Sequence, residues 1–405
     1  MTKATVRELK ELKGKRTFIR VDHNVPQDDS GKITDDTRIR ESLGTIRYCL
    51  DKGARVILCS HLGRPKSKAD KQYSIKPVVE RLRTLLNGVK IAMSSDCIGP
   101  DVEAAIAKLK DGEILYLENI RFYKEETDND VAFAKKLAKL CDYYVNDAFG
   151  AAHRAHASTE GIAKFVPAVA GFLMEKEIKI LGEAISNPKR PLTIIMGGKK
   201  VSDKIPVIDN LLKIADNILI GGGMTYTFAK AAGGKVGNSI VDGESLEYCR
   251  NLPKVAKEKK VNLYIPIDCI AADKFANDAK TRCVSPTDIP EGWEGLDIGP
   301  KSIETYKGIL AKSGTIIWNG PVGVFEMPTF ANGTKQIGEA VASSKAVTIA
   351  GGGDTAAAVV KFGFGDRFTH ISTGGGASLE LLEGKILPGI AALNNMDGKI
   401  KGNKL

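Results

Sequence analysis

The chain has 405 residues, of which 43% are hydrophobic and 27% charged, and its formal net charge is +10. This length predicts two domains, and the positive charge favours anionic ligands. No apolar run reaches the roughly 20 residues of a membrane span, residues 1–16 lack the apolar core of a signal peptide, and seven cysteines without a C-x-x-C pair predict free thiols rather than zinc. We therefore expect a cytoplasmic protein.

Four β-strands alternate with amphipathic helices in the first part of the chain. The strands are predicted at residues 16–22, 54–60, 113–119 and 142–148, and helical patterns fill 36–53 and 74–88. This alternation indicates a parallel sheet covered by helices on both faces. Ligands of such sheets bind beyond the carboxyl ends of the strands.

Polar and cationic side chains follow each of these four strands. They are Asp22, Asn24 and Arg38, then His61 and Arg64, then Arg121, and finally Arg154 between two further histidines. Arginine suits phosphate and carboxylate because its planar fork donates two parallel hydrogen bonds. Each arginine alone could be a surface cation, but their recurrence at four strand ends favours one shared anion site. Strand parity places His23 on the opposite side from Asp22 and Asn24.

A helix over residues 171–187, closed by Asn187 and Pro188, is predicted to join the two domains. We expect a first domain over 1–170 and a second over 188–390. Each would be Rossmann-like, a mainly parallel sheet with helices on both faces, and the tail 391–405 would pack back on the first domain.

In the second half, five predicted strands run into glycines, at residues 191–198, 217–223, 314–321, 346–353 and 369–376. Three of them end in the triplets 221–223, 351–353 and 374–376. Glycine lets backbone N–H groups approach a phosphate at the start of a helix, where the helix dipole favours anions. Tight turns could explain one triplet, whereas three favour a nucleotide site.

Two common nucleotide-binding motifs are absent around these glycines, and their absence narrows the kind of nucleotide. The segment "GGGDTA" fits a dinucleotide fingerprint, but no acidic residue closes the next strand, and no P-loop motif is present. Lys200 and Lys204 after one glycine pair, with Asp354 after another, suit a magnesium nucleotide. Asp354 could instead cap a helix.

Nine segments in this order resemble the phosphoglycerate kinase family, and the resemblance runs essentially end to end. They are "RVDHNVP", "SHLGRPK", "LENIRFYKEE", "NDAFGAAHRAHAST", "GGKKVSDKI", "ILIGGGMTYTF", "WNGPVGVFE", "GGGDTAA" and "STGGGASLELLEG". The resemblance implies a monomeric two-domain hinge enzyme. It would transfer a phosphoryl group reversibly and in line between 1,3-bisphosphoglycerate and MgADP, giving 3-phosphoglycerate and MgATP.

The resemblance also implies site residues. The glycerate site would be Asp22, Asn24, Arg38, His61, Arg64, Arg121 and Arg154. The nucleotide site would be Gly198, Lys200, Lys204, Gly223, Gly295, Asn319, Glu326, Gly352, Gly353, Asp354 and Thr355, with Glu326 on the ribose and Asp354 on magnesium. Arg38, Lys204, Gly375 and Gly376 would be catalytic, acting on the transferring phosphoryl group after domain closure. His23 and Lys199 depart from the family pattern.

Two other classes remain as alternatives. A nicotinamide-dependent dehydrogenase would share the strand–helix alternation and the glycines, although the acidic residue of its fingerprint is missing. A nucleic-acid-binding protein would account for the charge, but it predicts a basic stripe interleaved with aromatic residues, which make up only 6% of this chain. We expect neither a specific nucleic-acid partner nor a membrane.

Overall fold

The computed structural model describes residues 3–396, which divide into two compact units. The first unit comprises the described residues through Lys179 together with those from Ile386 onward, and the second is Ile180–Lys385. Among the described residues, no helix is both long and apolar enough to cross a membrane.

The first unit is built on a six-stranded sheet in the order β3-β4-β2-β1-β5-β6, in which all neighbouring strands are parallel. Its strands are β1 (Arg16–Val21), β2 (Arg55–Cys59), β3 (Ile91–Met93), β4 (Ile114–Tyr116), β5 (Tyr143–Asp147) and β6 (Ala168–Ala170). Its helices are α1 (Thr37–Asp51), α2 (Lys76–Leu85), α3 (Pro100–Ala107), α4 (Lys124–Thr127), α5 (Val131–Lys139) and the first part of α6 (Phe172–Ser186).

Burial on both faces explains the composition of these strands. Phe18 and Ile19 on β1 point to opposite faces, and both are fully buried. Helix α1 covers one face with Ile39 and Ile46. The four predicted strands of this unit are confirmed as β1, β2, β4 and β5, and β3 and β6 extend the sheet at its two edges.

The second unit contains another parallel six-stranded sheet, in the order β10-β8-β7-β15-β16-β17. Its strands are β7 (Leu192–Met196), β8 (Asn217–Ile220), β10 (Asn262–Tyr264), β15 (Thr315–Asn319), β16 (Val347–Gly351) and β17 (His370–Ile371). Its helices are α7 (Ile205–Leu211), α8 (Met224–Ala231), α9 (Leu246–Glu258), α10 (Pro300–Leu310), α11 (Asn332–Ala342), α12 (Gly353–Lys361) and α13 (Gly376–Leu382). The five strands predicted here are therefore confirmed.

Two small sheets complete the second unit. The antiparallel sheet β12-β11-β14 comprises β11 (Cys269–Ala272), β12 (Thr281–Val284) and β14 (Glu294–Ile298), and β9 (Lys235–Val236) pairs with β13 (Asp288–Ile289). The chain then returns to the first unit through α14 (Pro388–Ala391). There Asn394 pairs with Ala4 and Ala168 through backbone hydrogen bonds. The remainder of the predicted tail, 397–405, lies outside the described residues.

The predicted connecting helix corresponds to α6, and the boundary between the two units falls within it, after Lys179. The predicted domain limits and the hinge role of this helix stay predictions. All seven cysteines are free thiols; six are buried and Cys283 is exposed. Among residues 3–396, no cluster of three or more histidine, cysteine, aspartate or glutamate side chains could hold a metal ion.

Candidate functional site

Parallel pairing brings the polar residues of the first unit to one edge of its sheet. In the sheet register Arg20 on β1 pairs with Cys59 on β2 and with Asn146 on β5, so these three strands end side by side. The segments after β1, β2, β4 and β5 therefore leave the sheet at the same edge. These segments hold Asp22 and Asn24, His61 and Arg64, Arg121, and Arg154.

Asp22 and Asn24 organise this edge. The carboxylate of Asp22 accepts a hydrogen bond from Arg38 Nη1 at 3.0 Å and lies 3.9 Å from His61 Nδ1. The side-chain oxygen of Asn24 accepts the N–H of Gly63 at 2.8 Å. Asp22 is thus positioned to orient Arg38, while Asn24 fixes the start of the loop that carries Arg64.

His61 is buried and neutral. Arg20 donates from Nη2 to His61 Nδ1 at 3.1 Å. Because a guanidinium can only donate, Nδ1 is the acceptor and Nε2 carries the proton. Burial, together with the charge of Arg20, holds the pKa of His61 well below its usual range. His61 can therefore donate one hydrogen bond from Nε2 to an anion without changing its own charge.

Arg20 is a polar residue of this edge that the sequence analysis did not single out. It is fully buried on β1 and donates from Nε to Ser158 Oγ at 2.8 Å. Ser158 in turn donates to the buried carboxylate of Glu126 at 2.6 Å. Burial raises the pKa of Glu126. Strand parity could have found Arg20, since it shares a strand face with Asp22, whereas a buried network with Ser158 and Glu126 leaves no local signal.

Arg121 is half-buried, whereas Arg64 and Arg154 are exposed. Its Nη1 donates to the backbone oxygen of Gly63 at 3.0 Å. Burial, together with the charge of Arg20, lowers the pKa of Arg121 to about 10. Its buried Nε has no hydrogen-bond partner among the described residues. An unsatisfied buried donor is costly, which makes Arg121 a group that an anionic ligand would satisfy.

Arg64 and Arg154 are more exposed. Arg64 is exposed, and no hydrogen bond or ion pair of its side chain occurs within residues 3–396. Arg154 donates from Nε to His153 Nε2 at 3.1 Å. Both arginines extend from the same sheet edge as Arg121 and remain available to an anion.

His23 faces the protein interior, as strand parity predicts. It is fully buried, and its two ring nitrogens lie 2.8 Å from Tyr116 Oη and 2.8 Å from Ser42 Oγ. Because Ser42 donates its proton to the backbone oxygen of Ile39, it accepts from His23 Nε2. Burial, with Arg20 nearby, lowers the pKa of His23 to about 3, so the ring is neutral.

In the second unit the strands β7, β15 and β16 also end side by side, with Asn319 paired to Met196 and Gly351. Lys204 donates from Nζ to Asn319 Oδ1, and Asn319 Nδ2 donates to the Gly351 oxygen at 2.9 Å. Burial lowers the pKa of Lys204, while the charges of Asp203 and Asp354 act in the opposite direction. The structure thus joins Lys204 and Asn319, which the sequence placed in separate motifs.

Glycines after β7, β16 and β17 adopt backbone conformations that side chains disfavour. Gly198, Gly352 and Gly375 have φ of 124°, 92° and 52°. A Cβ atom at Gly352 would lie 3.2 Å from Asn319 Nδ2. Thr355, predicted beside the nucleotide, is buried and accepts the Gly320 N–H at 2.7 Å, which ties the turn after β15 to helix α12.

The other predicted nucleotide residues lie on several segments of the second unit. Gly223 precedes α8, and a Cβ atom there would lie 2.7 Å from Ile240 Cγ2. Gly295 on β14 lies against α8, because an added Cβ would be 2.2 Å from the Tyr226 ring. Glu326 and Lys200 are exposed. Within residues 3–396, no hydrogen bond or ion pair joins Glu326 to the glycines after β16.

Asp354 is not the helix cap that the sequence left open, since α12 begins at Gly353 and its N-cap is Gly352. Its carboxylate is exposed, and no hydrogen bond or ion pair of that side chain occurs in the part of the chain that the structure describes. Mg²⁺ is commonly held by one or two carboxylates together with substrate phosphates. A single free carboxylate beside glycine turns fits that mode of binding.

Comparisons with known proteins show what the whole chain is similar to. The family model described as Phosphoglycerate kinase matches residues 6–385. "Phosphoglycerate kinase 3, cytosolic" of Arabidopsis thaliana is 57% identical and the match covers 97% of this chain and 99% of the relative. "Phosphoglycerate kinase, chloroplastic" of Volvox carteri is 56% identical over 95% of this chain and 84% of the relative. The solved phosphoglycerate kinase of Coxiella burnetii superposes with a TM-score of 0.88 at 41% identity, covering 96% of this chain and 98% of that one.

Proposed function

The chain belongs to the phosphoglycerate kinase family and is a kinase of glycolysis, and we propose that the edges of its two parallel sheets bind the two substrates. In this proposal the first unit takes 3-phosphoglycerate or 1,3-bisphosphoglycerate, and the second takes ADP or ATP. The observation that carries the proposal is the convergence of Arg38, His61, Arg64 and Arg121 at one sheet edge, with an unsatisfied buried donor on Arg121.

The residues of the glycerate site bind different parts of the substrate, according to their charge and burial. The exposed Arg64 and Arg154 and the half-buried Arg121 bind the terminal phosphate, because fixed guanidinium groups are the strongest partners of phosphate. Neutral His61 donates to the carboxyl end of the substrate. Asp22 accepts from the substrate hydroxyl while it orients Arg38.

The nucleotide site uses backbone more than side chains. The N–H groups at the starts of α12 and α13 face phosphate oxygens, an arrangement that helix N-termini favour. Lys200 and Lys204 add positive charge, and Glu326 accepts from the ribose. We assign Gly223 and Gly295 to the nucleotide site as well, and no side chain fits at either position, because a Cβ atom would collide with Ile240 or Tyr226.

Asp354 is the residue that would hold Mg²⁺, together with the nucleotide phosphates. The ion supplies neutralisation of the phosphate charge when it is bound. Asp354 would hold the ion at the start of α12, and Lys204 would contact the oxygens of the phosphoryl group that is transferred.

Phosphoryl transfer between two bound oxygens needs alignment and charge neutralisation rather than a protein nucleophile. We assign that role to Arg38, to Lys204 and to the amides of Gly375 and Gly376. Because these residues belong to different units, transfer requires closure of the two units around the substrates. Closure also excludes the water that would hydrolyse an acyl phosphate.

A coupled assay of the purified chain with 3-phosphoglycerate and MgATP tests the proposed function directly. The expected result is ATP-dependent formation of 1,3-bisphosphoglycerate, detected through its reduction by an added dehydrogenase. Binding of NAD(H) by the chain itself, with no turnover in this assay, would favour the dehydrogenase alternative. We further propose that the enzyme acts as a monomer. We also propose that it acts in the cytoplasm, because the name of the Arabidopsis relative describes that protein as cytosolic.

A further inference from the structure

The loop between β2 and α2 carries Arg64, and a cluster outside the proposed site fixes its far side. Lys68 donates from Nζ to Asp96 Oδ2 at 2.6 Å and to Tyr123 Oη at 2.7 Å. Tyr123 in turn donates to Asp96 Oδ1 at 2.6 Å. We call these three residues the Lys68 anchor.

The Lys68 anchor is stronger than a simple surface ion pair. Its ammonium group lies 4.3 Å from the centroid of the Tyr123 ring, and the Asp96 carboxylate also accepts the N–H of Cys97 at 2.7 Å. The Tyr123 ring packs against Phe133 with centroids 5.0 Å apart. Isolated exposed pairs contribute little, but a network with a fixed aromatic partner retains its geometry.

The position of the anchor along the chain links two phosphate-binding arginines. Lys68 follows Arg64 by four residues, and Tyr123 follows Arg121 by two. The near side of the loop is already fixed, because Arg121 donates to the oxygen of Gly63. Arg64 therefore lies between one attachment at Gly63 and another at Lys68, and both attachments lead to the segment of Arg121.

We propose that the Lys68 anchor positions Arg64 relative to Arg121 and so sets the affinity of the chain for 3-phosphoglycerate, an inference that rests on the proposed glycerate site. Lys68 is a positioning residue and does not itself contact the substrate. Without the anchor the loop has more conformations, and binding must order it at the expense of affinity. Turnover at saturation is unaffected, since the transferring group meets Arg38 rather than Arg64.

Lys71 on the same loop provides a matched control. It is exposed like Lys68, and within the described residues its side chain has no hydrogen bond or ion pair. Lys68→Met and Lys71→Met therefore remove the same charge from the same loop, and only the first breaks the anchor. Tyr123→Phe retains the ring and removes the hydroxyl group.

The experiment measures KM for 3-phosphoglycerate and for MgATP, kcat, and the calorimetric affinity for 3-phosphoglycerate. Lys68→Met should weaken the binding of 3-phosphoglycerate by about fivefold, the size expected for the loss of one partly exposed charged network. The kcat and the KM for MgATP should stay within about twofold of the wild-type values. Lys71→Met should leave all values unchanged. Lys68→Arg should restore part of the affinity, and the double variant Lys68→Met/Tyr123→Phe should lose less than the sum of the single losses.

Two results overturn the inference while leaving the proposed function in place. One is an equal loss in Lys68→Met and Lys71→Met, which would mean that net charge alone acts on the substrate. The other is no change in 3-phosphoglycerate affinity on loss of Lys68. If the unaltered chain does not bind 3-phosphoglycerate, the proposed function fails and this inference fails with it.

Discussion

Arg38 donates a hydrogen bond from Nη1 to Asp22 Oδ2 over 3.0 Å, and the same nitrogen lies 3.3 Å from the backbone oxygen of Asn24. The Asp22 side chain is 8% exposed, whereas that of Arg38 is 32% exposed. A buried carboxylate thus holds a guanidinium that extends to the open edge of the sheet. This pairing supports the role of Arg38 as the cation that meets the transferring phosphoryl group.

Arg38→Ala is expected to fold and to lose turnover by a factor on the order of 10³ or more, because a guanidinium on the transferring group stabilises charge that develops only in the transition state. Arg40→Ala is the matched control, since Arg40 lies on the same helix, is 54% exposed and pairs with Asp36. Steady-state kinetics of both variants decide the point. Retention of more than about a tenth of the turnover by Arg38→Ala would refute the assignment.

His23→Phe is expected to keep kcat/KM within about threefold, because His23 faces Tyr116 and Ser42 rather than the ligand edge. The pH–rate profile near pH 6–7 should not change, since the neutral ring does not titrate there. Loss of an ionisation in this range together with a hundredfold lower kcat/KM would place His23 in the active site.

His23 should also make stability depend on pH in a defined direction. Burial lowers its pKa to about 3 in the folded chain, whereas the unfolded chain takes up the proton near pH 6.5. Below pH 6.5 the unfolded state therefore binds more protons, and the free energy of unfolding falls as the pH drops from 6.5 towards 3.

Urea unfolding at pH 7.5 and pH 5 measures this contribution. When the pH is lowered from 7.5 to 5, the free energy of unfolding of the wild type should fall by about 2 kcal/mol more than that of His23→Phe. The reason is that the folded and unfolded pKa values of His23 lie on opposite sides of pH 5. His61 and His156 are present in both proteins, so their contributions to the pH dependence cancel when the two losses of unfolding free energy are subtracted. Equal losses in the two proteins would show that His23 is not held neutral by the fold.

Gly63→Ala is expected to weaken 3-phosphoglycerate binding through a collision. Gly63 has φ of 62°, and an added Cβ would lie 2.4 Å from the Tyr73 ring, which would displace the loop that carries Arg64. Gly112→Ala is the control, since Gly112 has φ of 78° with no atom within 4 Å of the added Cβ. Both variants should lose about 1 kcal/mol of stability from backbone strain. Calorimetry should show reduced affinity for 3-phosphoglycerate in Gly63→Ala alone, and equal affinities would contradict the loop assignment.

The sequence predicted both parallel sheets because their strands carry continuous apolar runs that end in glycine or in polar side chains. β3 (Ile91–Met93) escaped prediction because three residues are too few to show a period, and it is defined by pairing with β4. The antiparallel sheet of β11, β12 and β14 was missed because two of its strands, Thr281–Val284 and Glu294–Ile298, carry charged residues and do not form apolar runs. Its β12 is largely exposed and is specified by its partner β11.

The candidate site was predictable where function leaves a local pattern. Strand-end arginines and glycine triplets are such patterns, and strand parity was sufficient to place His23 inside. The hydrogen-bond network of Arg20 with Ser158 and Glu126 could not be predicted, because these residues are distant in sequence and meet only in the folded core. The link between Lys204 and Asn319 was missed for the same reason.

The central claim is that the two sheet edges bind different substrates. Calorimetric titration of two variants, each lacking one exposed side chain, with each ligand alone tests this claim most directly. Arg64→Ala and Asp354→Ala both remove exposed side chains that make no hydrogen bond or ion pair within residues 3–396, so neither should perturb folding. Arg64→Ala should weaken the binding of 3-phosphoglycerate about tenfold, roughly 1.4 kcal/mol, and leave the affinity for MgADP unchanged. Asp354→Ala should weaken the binding of MgADP and leave the affinity for 3-phosphoglycerate unchanged. Equal losses for both ligands in either variant would contradict the separate assignment of the two edges.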